Sequence, residues 1–261
     1  MTLFIESKDN DIKDRWNPAT SMMTPATDEI HLWCAHVNLP RIWLDYFRKV
    51  LSEDETLRAG RFVRSEDYNR FIVSRGLLRY ILGRYLNTPP GDIRFEYNPF
   101  GKPECADTHH ENPLCFNVSH SGDRVLYGIS NQRHIGVDIE KICFMENQDE
   151  IVNRFFSQQE IEDYKRLPES LRREAFFNCW TRKESYIKSW GKGMSIELNT
   201  FSVSVRSNMT EESILLNDTD GRSEHHMTIR SIPSVDGYVG AVAVEGKNLT
   251  YRFWNWEFPM S

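Results

Sequence analysis

What the sequence lacks narrows its chemistry first. Only five of its 261 residues are cysteine, at positions 34, 105, 115, 143 and 179. They form no CxxC pair and no Cys/His metal spacing, so the sequence offers neither a disulfide framework nor a zinc site. Reduced thiols in a cytoplasmic protein are the expectation. No apolar run approaches the roughly 20 residues of a membrane span, and the N-terminus lacks a basic region followed by an apolar block, so no secretory signal is read. A cationic excess is also missing: 32 Lys and Arg face 38 Asp and Glu, for a net charge of −6. That balance argues against general nucleic-acid binding. What is present, 39% hydrophobic and 27% charged residues, describes a soluble globular protein with a substantial core, in one domain or two. A monomer with no nucleic-acid or membrane partner is expected.

The chemistry concentrates in three stretches. Residues 177–193 read FNCWTRKESYIKSWGKG. On a helix, Trp180, Glu184 and Lys188 fall at i, i+4, i+8 and form one stripe with Lys183 beside it, and the Gly-Lys-Gly run ends the helix. Cys179, inside this helix, has no nucleophile's company and is expected to pack. Upstream, residues 135–140 read IGVDIE; in a strand, Asp138 and Glu140 share a face. Two carboxylates on one face repel unless a cation lies between them. With Glu184 they make three hard oxygen donors near lysines, a set that suits Mg²⁺ holding a phosphate. Taken singly, a solvated strand edge and an ordinary amphipathic helix explain each piece as well. The third stretch, residues 116–122, reads FNVSHSG, a strand delivering hydroxyls and an imidazole to a tight turn.

FNVSHSG, GVDIE and WTRKESYIK, in this order, resemble the signature motifs of the 4′-phosphopantetheinyl transferases, and the single-chain surfactin-synthetase (Sfp) type most of all. The resemblance runs from about residue 30 to the C-terminus. It implies transfer of the 4′-phosphopantetheine arm of coenzyme A to a serine of an apo acyl- or peptidyl-carrier protein, with adenosine 3′,5′-bisphosphate leaving. Asp138, Glu140 and Glu184 match the ligands of Mg²⁺, with Mn²⁺ as a substitute. Glu184, directly or through a metal-bound water, takes the serine proton. Lys188 neutralises or protonates the leaving phosphate. Lys183 and His120 fit further phosphate contacts, and Ser119, Lys102, Arg58 and Arg61 fit the nucleotide end. Arg58 and Arg61 stand where relatives commonly have lysines, and a solvated helix face explains them equally well. Arg75 and Arg79 read as structural. Two other classes compete: a Mg²⁺-dependent nuclease, disfavoured by the acidic balance, and a non-catalytic coenzyme A or carrier-binding protein, which would not need all the acids and lysines.

Along the chain, residues 1–29 read as a loose leader. The expected strands are 30–37, 93–97, 114–118, 124–130, 134–140, 201–205, 226–232, 238–244 and 249–256. Trp43, Tyr46, Phe47, Val50 and Leu51 follow helical spacing. Ser52-x-x-Glu55 and Ser157-x-x-Glu160 are capping boxes. Ser65 is placed as the cap of a long helix to about residue 86, and helices are expected over 146–156 and 171–190. Residues 106–113, with the His109-His110 pair, and 207–225 read as polar surface loops. The pattern is α+β, with an N-terminal half over 30–133 and a C-terminal half over 134–261 carrying the metal and catalytic motifs. The resemblance implies that the two halves form a pseudo-dimer with the active site between them. Carrier docking is expected at residues 141–160, through Phe144 and Met145 of the apolar cluster Ile142, Phe144 and Met145. Of Phe155 and Phe156, one is expected to pack inward.

Overall fold

The computed structural model describes residues 7–8, 23–106, 113–191, 196–206, 211–217, 224–233 and 235–256. The His109-His110 pair, Lys192 and Gly193 lie outside the described residues. In chain order the elements are β1 (Ser7–Lys8), β2 (Glu29–His36), α1 (Arg41–Arg48), α2 (Glu53–Ala59), α3 (Ser65–Leu86), β3 (Phe95–Tyr97), β4 (Pro103–Cys105), β5 (Leu114–Ser121), β6 (Arg124–Asn131) and β7 (Ile135–Lys141). There follow α4 (Gln148–Phe155), α5 (Gln158–Arg166), α6 (Glu169–Trp190), β8 (Glu211–Asn217), β9 (Glu224–Ser231), β10 (Tyr238–Glu245) and β11 (Thr250–Trp256).

Two sheets carry the fold. One has the order β1-β11-β2-β6-β5, the other β7-β10-β9-β8, and β3 and β4 form a separate hairpin. All pairings are antiparallel except β11 with β2. Strand alternation sorts the core into three zones. Trp33, Ala35, Tyr127 and Ile129 face α1 and α3. On the opposite faces of the same strands, Ile30, Leu32, Cys34 and Leu126 meet Ile135, Val137, Ile139, Val242 and Val244 of the second sheet. Ala241, Ala243, Met227 and Ile229 then cover α6 from below. The layers are therefore helix, sheet, sheet, helix.

The halves repeat one plan: a strand, two short helices, a helix of 22 residues ended by a left-handed residue (Asn87 or Gly191), then antiparallel strands. The second short helix opens on a capping box in each, Ser52/Glu55 and Ser157/Glu160. Both box glutamates are buried and held by a cation from the long helix of their own half. Arg79 Nε donates to Glu55 Oε2 at 2.7 Å, and its Nη1 to the carbonyls of Pro90 and Ile93 at 3.0 and 2.8 Å. Lys183 Nζ stands 2.8 Å from Glu160 Oε1 and donates to the carbonyls of Leu198 and Phe201 at 2.6 and 2.7 Å. The repeat survives in contacts while the residue types differ, which is why it is invisible in the letters alone.

Several expectations change. Residues 23–29 are not a loose leader: Met23 leans on the N-terminal core, Pro25 is buried, and Asn131 Nδ2 donates to its carbonyl. Helix α1 ends at Arg48, short of Val50 and Leu51. Ser65 is the first helical residue rather than the cap, which is Arg64. Residues 201–205 are not a strand, although Phe201, Val203 and Val205 are buried as alternation predicts. Residues 211–217, expected in a polar loop, form β8 and pair with β9. The C-terminal strand β11 leaves its own half to pair with β2. None of the five cysteines forms a disulfide, and Cys179 packs in the core.

Gly136 controls how α6 seats on β7. A Cβ there would stand 2.0 Å from Ser185 O and 2.3 Å from Ser189 N, so the helix lies directly on the strand. Gly136→Ala is expected to push α6 off β7 and cost about 1–3 kcal/mol, as overpacking does. Urea unfolding checks this; a variant as stable as wild type would show that the close seat is not needed.

Candidate functional site

Strands β5 and β7 are edges of different sheets, and edge N–H groups need partners. Here side chains supply them. Val137 N donates to Asn117 Oδ1 at 2.9 Å, Ile139 N to Ser119 Oγ at 3.4 Å, and Lys141 N to Ser121 Oγ at 3.1 Å. Alternate residues of FNVSHSG thus stand in for a neighbouring strand. The same hydroxyls reach the acids: Ser119 Oγ donates to Asp138 Oδ1 at 2.8 Å, and Ser121 Oγ to Glu140 Oε2 at 2.6 Å.

Because Ile135, Val137 and Ile139 turn into the inter-sheet core, Asp138 and Glu140 turn the other way, beneath α6, as strand alternation requires. From α6, Lys188 Nζ donates to Asp138 Oδ1 at 2.5 Å and to Ser119 Oγ at 3.1 Å. Burial raises the pKa of Asp138, opposed by Lys188 and Ser119. Glu184 is raised by burial first and then by the charges of Asp138 and Glu140. Glu140 is raised by burial, with Asp138 adding to it. The structure brings all three acids and Lys188 into one electrostatic unit.

His120, on the opposite face of β5 from Ser119, looks toward α3. Protein surrounds its ring even though the residue reaches the surface, and that desolvation, with Arg70 and Lys188 nearby, lowers its pKa. Arg70, paired with Asp67 at 3.0 Å, was not visible as a site residue in the sequence; only its place on the long helix hinted at it. Asn117, Ser121 and Gly136 were likewise missed as positioning residues. For Asn117 and Ser121 the signal was the alternation Asn117, Ser119, Ser121 of polar side chains along one strand, and Gly136 carried none. Arg58 and Arg61 are exposed, near the start of α3, with the Arg58 guanidinium 5.6 Å from the centre of the Phe71 ring. They are not among the side chains gathered on Asp138.

Two expected site residues lie elsewhere. Lys183 is 0% exposed, and its ammonium is held by Glu160 and two carbonyls inside the C-terminal core; it cannot meet a phosphate there. Lys102 reaches across to the C-terminal half. Its Nζ donates to the carbonyls of Ile135, Lys188 and Ser189 at 3.0, 2.9 and 3.1 Å, and burial lowers its pKa to about 8. Ser119 sits at the acid centre between Asp138 and Lys188, not with Arg58 and Arg61.

The donors suit a hard divalent cation: three carboxylates, one of which, Asp138, has a buried Oδ2 with no hydrogen-bond partner among the described residues. As the side chains stand, no three Asp, Glu, His or Cys among the described residues close on an ion; the Lys188 ammonium lies on Asp138 instead. Beside Glu184 a cavity of about 280 Å³ opens, lined by Arg154, Phe155, Ile187, Ile196 and Leu198. No helix among the described residues is long and apolar enough to cross a membrane.

Residues 134–243 match the profile of the 4′-phosphopantetheinyl transferase superfamily, and residues 40–131 that of a 4′-phosphopantetheinyl transferase N-terminal domain. The chain is 33% identical to the 4′-phosphopantetheinyl transferase HetI of a Nostoc species over 94% of this chain and 100% of that one. It is 35% identical to the 4′-phosphopantetheinyl transferase Sfp of Bacillus subtilis over 60% of this chain and 67% of the relative. The rat L-aminoadipate-semialdehyde dehydrogenase-phosphopantetheinyl transferase is 29% identical over 64% of this chain and 56% of its own length.

A carboxylate with a raised folded-state pKa costs stability when ionised, and the cost disappears as pH falls below its ordinary value, 4.5 for Glu184. With chelator present, Glu184→Gln is therefore expected to melt higher than wild type at neutral pH, the gap closing in acid. Thermal melts across pH check this. A Glu184→Gln that melts lower at neutral pH would contradict the repulsion among the three acids.

Proposed function

This chain belongs to the 4′-phosphopantetheinyl transferase superfamily, and we propose that it transfers the 4′-phosphopantetheine arm of coenzyme A to a serine hydroxyl of an apo acyl- or peptidyl-carrier protein. In that reaction the serine oxygen bonds to the β-phosphorus, the bond to the α-phosphate breaks, the serine proton goes to a base, and adenosine 3′,5′-bisphosphate leaves. The observation that carries the reading is the pairing of Lys188 with the buried Asp138 beside the half-buried Glu140 and Glu184, with Asp138 Oδ2 left open.

Asp138, Glu140 and Glu184 would hold Mg²⁺, or Mn²⁺ in its place, which when bound neutralises the pyrophosphate. Glu184, whose raised pKa brings it nearer to neutral, suits the removal of a proton from serine. Lys188 brings a fixed positive charge beside the acids, where negative charge develops on the leaving phosphate. Arg70 extends that positive field toward α3, the His120 imidazole with its lowered pKa offering hydrogen bonds rather than charge, and Arg58 and Arg61 continue the field at the α2–α3 corner for the nucleotide end.

Carrier docking fits the segment after β7. Phe144 is 70% exposed, with the Arg173 guanidinium 5.5 Å from its ring centre. Exposed apolar surface beside a site points to a partner. Met145 and Ile142 pack partly against the C-terminal core, so the surface narrows to Phe144. Phe156 is buried, while Phe155 lies edge-on to Trp180 and lines the cavity beside Glu184.

Incubation with Mg²⁺, coenzyme A and a panel of apo-carriers, followed by weighing the carriers, is expected to show addition of one phosphopantetheine. Chelation should stop the reaction and Mg²⁺ or Mn²⁺ restore it. Asp138→Ala and Glu184→Ala should each lower the rate by about 10²–10³, the usual loss for one electrostatic contributor. Unchanged turnover in both variants would move the site elsewhere. Phe144→Ala should raise KM for the carrier and leave KM for coenzyme A unchanged; the reverse pattern would place docking on another surface.

A further inference from the structure

The β3–β4 hairpin belongs to the N-terminal half, yet its tip closes on the last turn of α6. Asn98 holds the turn itself: its Oδ1 accepts the amides of Phe100 and Lys102, both at 2.9 Å, and its backbone N donates to Lys102 O at 3.0 Å. That leaves Asn98 Nδ2 to donate to Gly191 O at 2.9 Å. From the same turn Lys102 Nζ donates to Lys188 O, Ser189 O and Ile135 O. Carbonyls in the last turn of a helix lack the usual amide four residues on, Lys188 O taking only a 3.3 Å bond from Gly191 N, and the helix dipole favours a cation there. The three ammonium protons thus match three carbonyls: two at the end of α6 and one at the start of β7.

The fit is close on both sides. Gly191 adopts φ 63°, and a Cβ at that position would stand 2.9 Å from both Asn98 Nδ2 and Lys102 Cδ. The glycine that lets α6 exit left-handed is therefore also the glycine that admits the hairpin. Lys188, whose carbonyl Lys102 grips, is the residue whose side chain reaches Asp138. Movement of this turn would carry the Lys188 ammonium away from the acids.

We propose that Lys102, with Asn98, is a positioning residue that fixes Lys188 by clamping the C-terminal end of α6 from the other half of the molecule. Its side chain does not contact the nucleotide. The kinetic consequence rests on the transferase reading; the structural consequence does not.

The test compares wild type with Lys102→Met and Lys102→Arg. In substrate-free protein, amide hydrogen exchange of residues 188–191 should quicken in Lys102→Met while the middle of α6 is unchanged. With coenzyme A and an apo-carrier, Lys102→Met should lower kcat by about 10–100-fold, as a displacement of the order of 1 Å does. KM for coenzyme A should stay within about twofold, because no binding contact is lost, and Lys102→Arg should regain most of the rate. A raised KM for coenzyme A with kcat unchanged would overturn the proposal and return Lys102 to the nucleotide end. Unaltered exchange at residues 188–191 would overturn it as well. A wild-type protein inactive on every carrier would count against the transferase reading alone, and the exchange result would still decide the clamp.

Discussion

Two sheet edges meet through side chains rather than through a shared ladder, and the rest of the molecule depends on that junction. Asn117, Ser119 and Ser121 accept the outward amides of β7, and without Asn117 and Ser119 the buried amides of Val137 and Ile139 would lie unpaired at the seam between the halves. An unpaired buried donor costs about 1–3 kcal/mol, so the seam has one favoured register. Because a strand's faces alternate, fixing that register also decides which β7 side chains enter the apolar seam and which turn toward α6. The acids turn toward α6 for this reason. Ser119 and Ser121 then complete the arrangement by hydrogen-bonding the carboxylates whose strand they hold.

The same junction sets the electrostatics. Three carboxylates share a desolvated space that raises the proton affinity of each, the charge of Asp138 adds to the effect at Glu140 and Glu184, and Lys188 opposes it through Asp138. A fold selected for stability alone would not gather them. Neighbouring cations with ordinary structural duties are fully paired, as Lys183 is with Glu160 and Arg79 with Glu55. The contrast between satisfied buried pairs and an under-neutralised cluster is what the proposed cation and anionic substrate would resolve.

The sequence made the chemistry more legible than the frame. Period-two spacing was enough to put Asp138 and Glu140 on one face, and period 3.6 placed Glu184 and Lys188 on one side of a helix, because those periods follow from backbone geometry. The capping boxes marked α2 and α5 for the same reason. Lys183 was misread because a lysine one residue from the stripe looks solvent-facing in one dimension; only the packing of α5 and the 198–201 turn buries it. The contacts of Lys102 were not legible because a helix end contributed by the other half, 86 residues on in the chain, cannot be seen from a turn motif. Strand β8 escaped because its pairing partner β9, not its own composition, gives it order. The repeat between the halves escaped because contacts were kept while arginine in one half became lysine in the other.

The most direct measurement is amide hydrogen exchange at Val137 and Ile139. Both amides are expected to be protected as strongly as the β7–β10 ladder amides. Asn117→Ala should release Val137 selectively and Ser119→Ala should release Ile139, each with the ladder left intact and the affinity of the cluster for Mg²⁺ reduced. Exchange at these two amides as fast as at a free sheet edge, or unmoved by either substitution, would show that the junction does not hold β7 and that the site is set by something else.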